Sequence, residues 1–196
     1  MQIIFAALLG YFLGSIPFGL LVTKFAGMGD IRDMGSGNIG ATNVLRTGRK
    51  DLAVATLLLD GGKGAIAVII AYLMGWRPEI AGAAAFLGHC FPVWLGFKGG
   101  KGVATFLGTI LALWFPAGVL ICATWLGAAF VSRFSSLAAL LAASAGPLIL
   151  FAMGKGAFAC AALFMAALVF IRHRANIERL LKSEEPKIGQ GKEKTA

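Results

Sequence analysis

Seven apolar stretches separated by short polar or glycine-rich turns run along the chain, at roughly 3–23, 51–74, 80–96, 103–115, 117–131, 135–153 and 156–171. A helix that crosses the hydrocarbon core of a bilayer needs about 20 apolar residues, and fewer when it is packed inside a bundle. The pattern therefore predicts an all-α polytopic membrane helix bundle. One boundary needs a decision. Residues 103–131 carry no charge over 29 positions, and a single helix of that length would extend about 43 Å at about 1.5 Å per residue. A core of about 30 Å is too thin for it. Pro116, preceded by Trp114 and Phe115 as interface anchors, divides the stretch into a hairpin of two short helices. The first apolar run starts at Ile3 with no basic segment before it, so it is expected to be a retained span and not a cleaved leader.

Charge decides the topology. With seven spans and the N-terminus outside, fifteen of the eighteen Lys and Arg residues fall on one side, leaving Arg77 and Lys155 outside and Lys63 within a span. Six spans would divide the loop cations eight to nine. The positive-inside bias selects seven spans, some of them short, with the N-terminus outside and the C-terminus cytoplasmic. Residues 1–182 then form one transmembrane domain, and 183–196 form a polar tail expected to be mobile. At 58% hydrophobic and 14% charged residues, the composition excludes an ordinary soluble domain. The net charge of +9 sits at the ends of membrane segments, where orientation and anionic lipid headgroups account for it without nucleic acid. Cys90, Cys122 and Cys160 lie singly in apolar stretches and read as small buried hydrophobes. No internal repeat is evident, which disfavours an inverted-repeat transporter.

Two clusters stand out against this apolar background, and the topology puts both on the cytoplasmic face. Gly35-Ser36-Gly37-Asn38-Ile39-Gly40-Ala41-Thr42-Asn43-Val44-Leu45-Arg46 combines permissive glycines, uncharged hydrogen-bonding side chains and an arginine able to form a bidentate pair with a phosphate or carboxylate. Phe97-Lys98-Gly99-Gly100-Lys101-Gly102 is a glycine turn feeding a helix N-terminus, whose free N–H groups and dipole favour an anion. Both suggest phosphate chemistry at a membrane surface. The second lacks Walker A spacing, so nucleotide hydrolysis is unsupported.

Asp60 and Lys63 interrupt the second span at i and i+3, where each can offset the other; they are either a structural pair or part of a site. His89 precedes the Cys90-Phe91-Pro92 turn, and His173 ends the last span. If that helix continues, Arg172, Asn176 and Arg179 share a face. Neither histidine has metal-ligand spacing, and no cofactor motif is present. No G-x-S-x-G surrounds Ser36, no Ser/His/Asp triad is legible, and the His-x4-Asp pattern of the common glycerolipid acyltransferases is missing.

Taken in order, these motifs resemble the bacterial acyl-phosphate:glycerol-3-phosphate acyltransferase family of small integral membrane enzymes. The likeness covers nearly the whole chain: Gly35–Arg46, Asp60-x-x-Lys63-Gly64, Gly88-His89-x-Phe91-Pro92-Val93 running on to Lys98–Thr105, Arg133-x-x-Ser136-Leu137, and His173-Arg-x-Asn176-Ile177-x-Arg179-Leu-Leu. The family's Gly-x-Glu after Leu-Leu is replaced here by Ser183-Glu184-Glu185, which leaves a structural role for Glu185 open. The resemblance implies transfer of a fatty acyl group from acyl phosphate to the sn-1 hydroxyl of glycerol 3-phosphate, the first step of phospholipid biosynthesis, in the bacterial cytoplasmic membrane. It implies catalytic roles for Ser36, Arg46, Lys101, His173 and Asn176. It implies a phosphate site lined by Gly37, Asn38, Gly40, Thr42, Asn43, Gly99, Gly100, Gly102 and Ser136. Membrane lipids and a peripheral acyl-phosphate-forming enzyme would be its partners.

Because a mixed anhydride carries a good leaving group, direct displacement is the expected mechanism, with His173 or a substrate phosphate oxygen accepting the proton. Two rivals remain: a transient acyl group on Ser36, and a phosphate-ester transporter.

Overall fold

The computed structural model describes residues 1–189, so 190–196 of the polar tail lie outside it. Helices follow the apolar runs and break where proline, glycine and polar residues collect. They are α1 (Gln2–Gly14), α2 (Phe18–Phe25), α3 (Ala41–Leu45), α4 (Lys50–Leu73), α5 (Pro78–Cys90), α6 (Val103–Leu113), α7 (Phe115–Ser132), α8 (Ser135–Ala152), α9 (Gly156–Arg172) and α10 (Arg174–Leu181), with no strand among the described residues. Four stretches are long and apolar enough to cross a membrane: α1 with α2, α4, α7 and α8. A fifth is added if α9 and α10 count as one bent span. The remaining two, α5 and α6, have 13 and 11 residues.

Those short helices occupy the interior. α5 packs against α1, α4 and α9, and α6 against α4 and α7. The main core joins Val68, Phe86, Phe106, Ile110, Leu113, Ile121, Leu150, Met165 and Val169. A second seam of Ala6, Ala67, Ala71, Ala81 and Ala85 brings α1, α4 and α5 together. Small residues there let helix backbones approach closely, which is the main source of attraction between helices in lipid. Large apolar side chains such as Leu58, Phe130 and Leu148 are exposed at 67%, 86% and 70%, the outward face of a protein solvated by hydrocarbon.

The break at Trp114, extended with φ −154°, makes the α6–α7 hairpin that the length argument requires. The first span stands as one stretch, Gln2–Phe25, interrupted at Ser15–Pro17, where Pro17 cannot donate to the helix ladder. Two expectations are corrected. The third stretch ends as a helix at Cys90 and not at 96; Phe91-Pro92 turns the chain and Val93–Leu95 form a single 3-10 turn. The last helix does not run straight through His173 but bends by 61°. Of the cysteines only Cys90 is fully buried, and Cys160 faces outward.

Candidate active site

The site forms at the end of the bundle where the breaks before α6, α8 and α10 meet. In the first loop, Asn43 on α3 is the organising residue, 1% exposed. Its Nδ2 lies within hydrogen-bonding distance of the carbonyls of Ile31, Met34 and Asn38 (3.1, 3.0 and 2.8 Å). Its Oδ1 accepts from the backbone N–H of Ser36 at 2.8 Å and from the Ser36 hydroxyl at 3.2 Å. The carboxamide is thus committed to holding the loop, and a Cβ on Gly35, at φ +56°, would collide with it. Gly37 donates its N–H to Met34 at 3.0 Å, and Gly40 stands at the start of α3. Thr42 reaches across to Ser135, hydroxyl to hydroxyl at 3.2 Å, joining this loop to the start of α8.

The second loop is pinned from below. Gly99 and Gly100 donate their N–H groups to the carbonyls of Cys90 and His89, each at 3.1 Å, and their own carbonyls accept from Arg172 Nη2 (2.7 Å) and Nε (3.1 Å). Arg172 also lies over the Phe91 ring, 5.4 Å from its centroid. These two glycines therefore have no N–H to offer an anion; they shape the turn and anchor an arginine. Gly102, left-handed at φ +82°, opens α6, whose first turn carries no capping side chain. A side chain at Gly102 would meet the Phe86 ring.

Between the loops, Lys101 Nζ donates to Asn176 Oδ1 at 2.5 Å, and Asn176 Nδ2 donates to Glu185 Oε1 at 2.6 Å. Ser136 donates to the same oxygen at 2.7 Å, and Arg179 Nε donates to Oε2 at 2.7 Å. Glu185, only 8% exposed, is the anion around which this end is built. The segment carrying it returns to the bundle, with Ile188 N–H donating to the Arg133 carbonyl at 2.7 Å. His173 Nδ1 sits 2.8 Å from the Val169 carbonyl, which fixes that nitrogen as the donor and leaves the lone pair on Nε2.

The electrostatics follow from burying several cations around one carboxylate. Burial pushes Lys101 down to about 8; Glu185 opposes the shift, while Arg179, Arg46 and Arg172 reinforce it. His173 is lowered to about 4 by burial and by Lys101, so its imidazole is neutral. Burial also lowers Arg46, again opposed by Glu185. For Glu185 burial works in the opposite sense, but hydrogen bonds from Asn176, Ser136 and Arg179 outweigh it and hold the carboxyl below its usual range. The result is a cluster of fixed cations facing an uncapped helix N-terminus, an arrangement suited to phosphate dianions.

Of the sequence-predicted residues, the structure joins Lys101, Ser136, Asn176 and His173 around Glu185, with Arg46 within electrostatic range of the same carboxylate. Ser36, exposed at the rim, is connected through Asn43. Arg172 was visible only as a member of a polar stripe, Arg179 through that stripe and the last motif, and Glu185 only as a departure from a motif. Among the described residues no group of three or more His, Cys, Asp or Glu is placed to hold a metal ion.

The family model described as Glycerol-3-phosphate acyltransferase matches residues 4–183. A glycerol-3-phosphate acyltransferase of Caulobacter vibrioides is 62% identical over 188 residues, covering 93% of this chain and 86% of that protein. One from Maricaulis maris is 58% identical over 193 residues, covering 97% and 89%. The crystal structure of PlsY (YgiH), an integral membrane glycerol 3-phosphate acyltransferase, superposes in its glycerol 3-phosphate form with a TM-score of 0.91 at 40% identity, covering 96% of both chains. Its lysophosphatidic acid form gives 0.88 at 38% identity and 95% coverage of both.

Proposed function

The chain belongs to the glycerol-3-phosphate acyltransferase family, and from that premise we propose that it transfers a fatty acyl group from acyl phosphate to the sn-1 hydroxyl of glycerol 3-phosphate, releasing lysophosphatidate and inorganic phosphate. The observation that carries this proposal is that Arg46, Arg172 and Arg179 all lie within electrostatic range of Lys101 at the uncapped start of α6, an excess of positive charge suited to phosphate.

In the proposed reaction the hydroxyl oxygen attacks the acyl carbonyl carbon, the bond from that carbon to the bridging phosphate oxygen breaks, and the hydroxyl proton passes to a base. Lys101, Arg46 and the N–H groups opening α6 hold the phosphates and stabilise the departing one. Burial and Lys101 keep His173 neutral, so it presents its Nε2 lone pair to orient the nucleophile, and a substrate phosphate oxygen accepts the proton. Asn176 carries the charge of Glu185 to Lys101, Asn43 presents Ser36, and Thr42 and Ser136 tie the loops together. Gly99 and Gly100 act through Arg172. The Ser36 hydroxyl faces an amide oxygen and not a base, which favours direct displacement over an acyl-serine.

Residues 1–182 act as one domain with seven spans, the N-terminus outside and the site at the cytoplasmic face of the bacterial membrane. The charge distribution supports this orientation: Arg46, Lys101, Arg133 and Arg172 share the site's end, while Lys155, stacked on Trp114 at 3.6 Å, marks the opposite one. Acyl phosphate arrives from the bilayer or from a peripheral enzyme that makes it.

Phosphate release from palmitoyl phosphate by the purified protein tests the proposal. Release that depends on glycerol 3-phosphate and matches the lysophosphatidate formed is expected; glycerol 3-phosphate crossing reconstituted vesicles without turnover would refute it. Incubation with labelled palmitoyl phosphate alone should leave the protein unlabelled.

A further inference from the structure

Beneath the phosphate loop, on its membrane side, lies a charged cluster that the chemistry above does not use. Asp60 and Lys63 on α4 and His89 on α5 are 2%, 3% and 4% exposed. Lys63 Nζ contacts Asp60 Oδ1 at 2.8 Å and donates to the Ile16 carbonyl at 2.8 Å. His89 Nδ1 faces the same Asp60 oxygen at 3.5 Å. The Asp60 carbonyl accepts from Thr105 at 2.9 Å, four residues and about one helical turn from Lys101 at the start of α6.

Charges at this depth are costly to bury and are kept where they do work. None of the three reaches the Glu185 network. What they reach is the loop: the His89 carbonyl accepts the Gly100 N–H, and the His89 imidazole fills the space that a methyl group on Gly100 would need. Resting on the assignment of Lys101 as a phosphate ligand, we propose that His89, seated beside the Asp60–Lys63 pair, is a positioning residue: its ring and carbonyl set the path of Gly99–Gly100 and so the aim of Lys101.

The test is steric complementation in the purified full-length protein, read by glycerol-3-phosphate-dependent phosphate release from palmitoyl phosphate and by thermal unfolding. Gly100→Ala is expected to lose about 100-fold in kcat, the effect of displacing a reacting group by about 1 Å. His89→Ala loses less, and the double variant His89→Ala/Gly100→Ala recovers activity above Gly100→Ala alone, because the added methyl occupies the vacated ring space. His89→Asn, which keeps a polar group toward Asp60, is run in parallel in case His89→Ala fails to fold. Losses that multiply in the double variant would overturn the proposal, as would coupling seen in unfolding midpoints but absent from kcat. Lys101→Ala with wild-type kinetics would overturn the phosphate assignment instead, whatever the coupling between His89 and Gly100.

Discussion

If Lys101 must be charged to hold phosphate, the reaction has an alkaline limit set by the protein and not by its substrates. Burial brings the Lys101 ammonium to about 8, with Arg179, Arg46 and Arg172 adding to the shift and Glu185 opposing it. The neighbouring guanidinium groups stay charged throughout the accessible range, and a phosphate monoester is fully ionised above about pH 7. Only Lys101 should therefore titrate. kcat/KM, which reports the free enzyme, is expected to fall with a midpoint near the Lys101 value, leaving about a tenth of the activity one pH unit higher. The limb in kcat should lie at higher pH, because bound phosphate favours the ammonium. Unfolding does not mimic this fall. Lys101 has a lower pKa folded than its ordinary 10.5, so between the two values the unfolded chain binds more protons, and this group makes the fold more stable as pH rises. The assay is phosphate release at stepped pH with unfolding midpoints taken alongside, repeated on Lys101→Arg, whose limb should leave the measured range even if its rate is lower. A kcat/KM that stays flat to about pH 10, or a limb unchanged in Lys101→Arg, would refute the reasoning.

Glu185→Gln removes the one anion that raises Lys101, so the same alkaline limb should move to lower pH; a limb that stays in place would separate the two residues. Arg46→Lys should lower kcat/KM by about 100-fold, the scale of losing one preorganised donor to a developing charge, since a point charge does not replace a planar fork; near-normal kinetics would remove Arg46 from the site. Asn43→Ala strips partners from the Ile31, Met34 and Asn38 carbonyls and should destabilise the protein by at least about 1–3 kcal/mol, seen as a lower unfolding midpoint. Ser36→Ala should instead lose activity with little change in that midpoint.

The helical architecture was legible because lipid makes hydrophobic length a near-direct readout of secondary structure. The glycine loops and the Pro116 hairpin were legible for the same reason: each interrupts an apolar run. What the pattern could not show was partnership. Asn43 and Ser36 are both small polar loop residues in sequence, and only the fold distinguishes the buried amide that builds the loop from the exposed hydroxyl it presents. Glycine in a phosphate-loop pattern suggests free N–H groups, yet those of Gly99 and Gly100 cap the carbonyl end of α5. Arg172 looked like one of several cations on a continuing helix, and the bend at His173 that separates it from Asn176 leaves no mark in hydropathy. Glu185, in a tail whose composition predicts mobility, gains its place from two donors on the preceding helix, Asn176 and Arg179, and from Ser136, 49 residues away in sequence.

The breaks that create the site also explain why so many polar side chains sit near it. Inside a bilayer a carbonyl released from a helix ladder has no water to turn to, and must find a donor within the protein. Several breaks here are answered by a side chain. Ile16, freed before Pro17, receives Lys63; Phe91, at the end of α5, receives the Tyr11 hydroxyl at 2.9 Å; Leu113, before the Trp114 kink, receives Tyr72 at 3.0 Å; Gly99 and Gly100 receive Arg172. Donors of this kind are cations or hydroxyls, and at the site's end of the bundle Arg172 adds to the field around Lys101. The 13-residue length of α5 is thus part of the same design, since its end at Cys90 seats the Gly99–Gly102 loop at the start of α6 with the Gly99 and Gly100 carbonyls satisfied by Arg172. A substrate whose acyl chain stays in the bilayer and whose phosphate stays in water needs its reacting carbonyl held between the two phases.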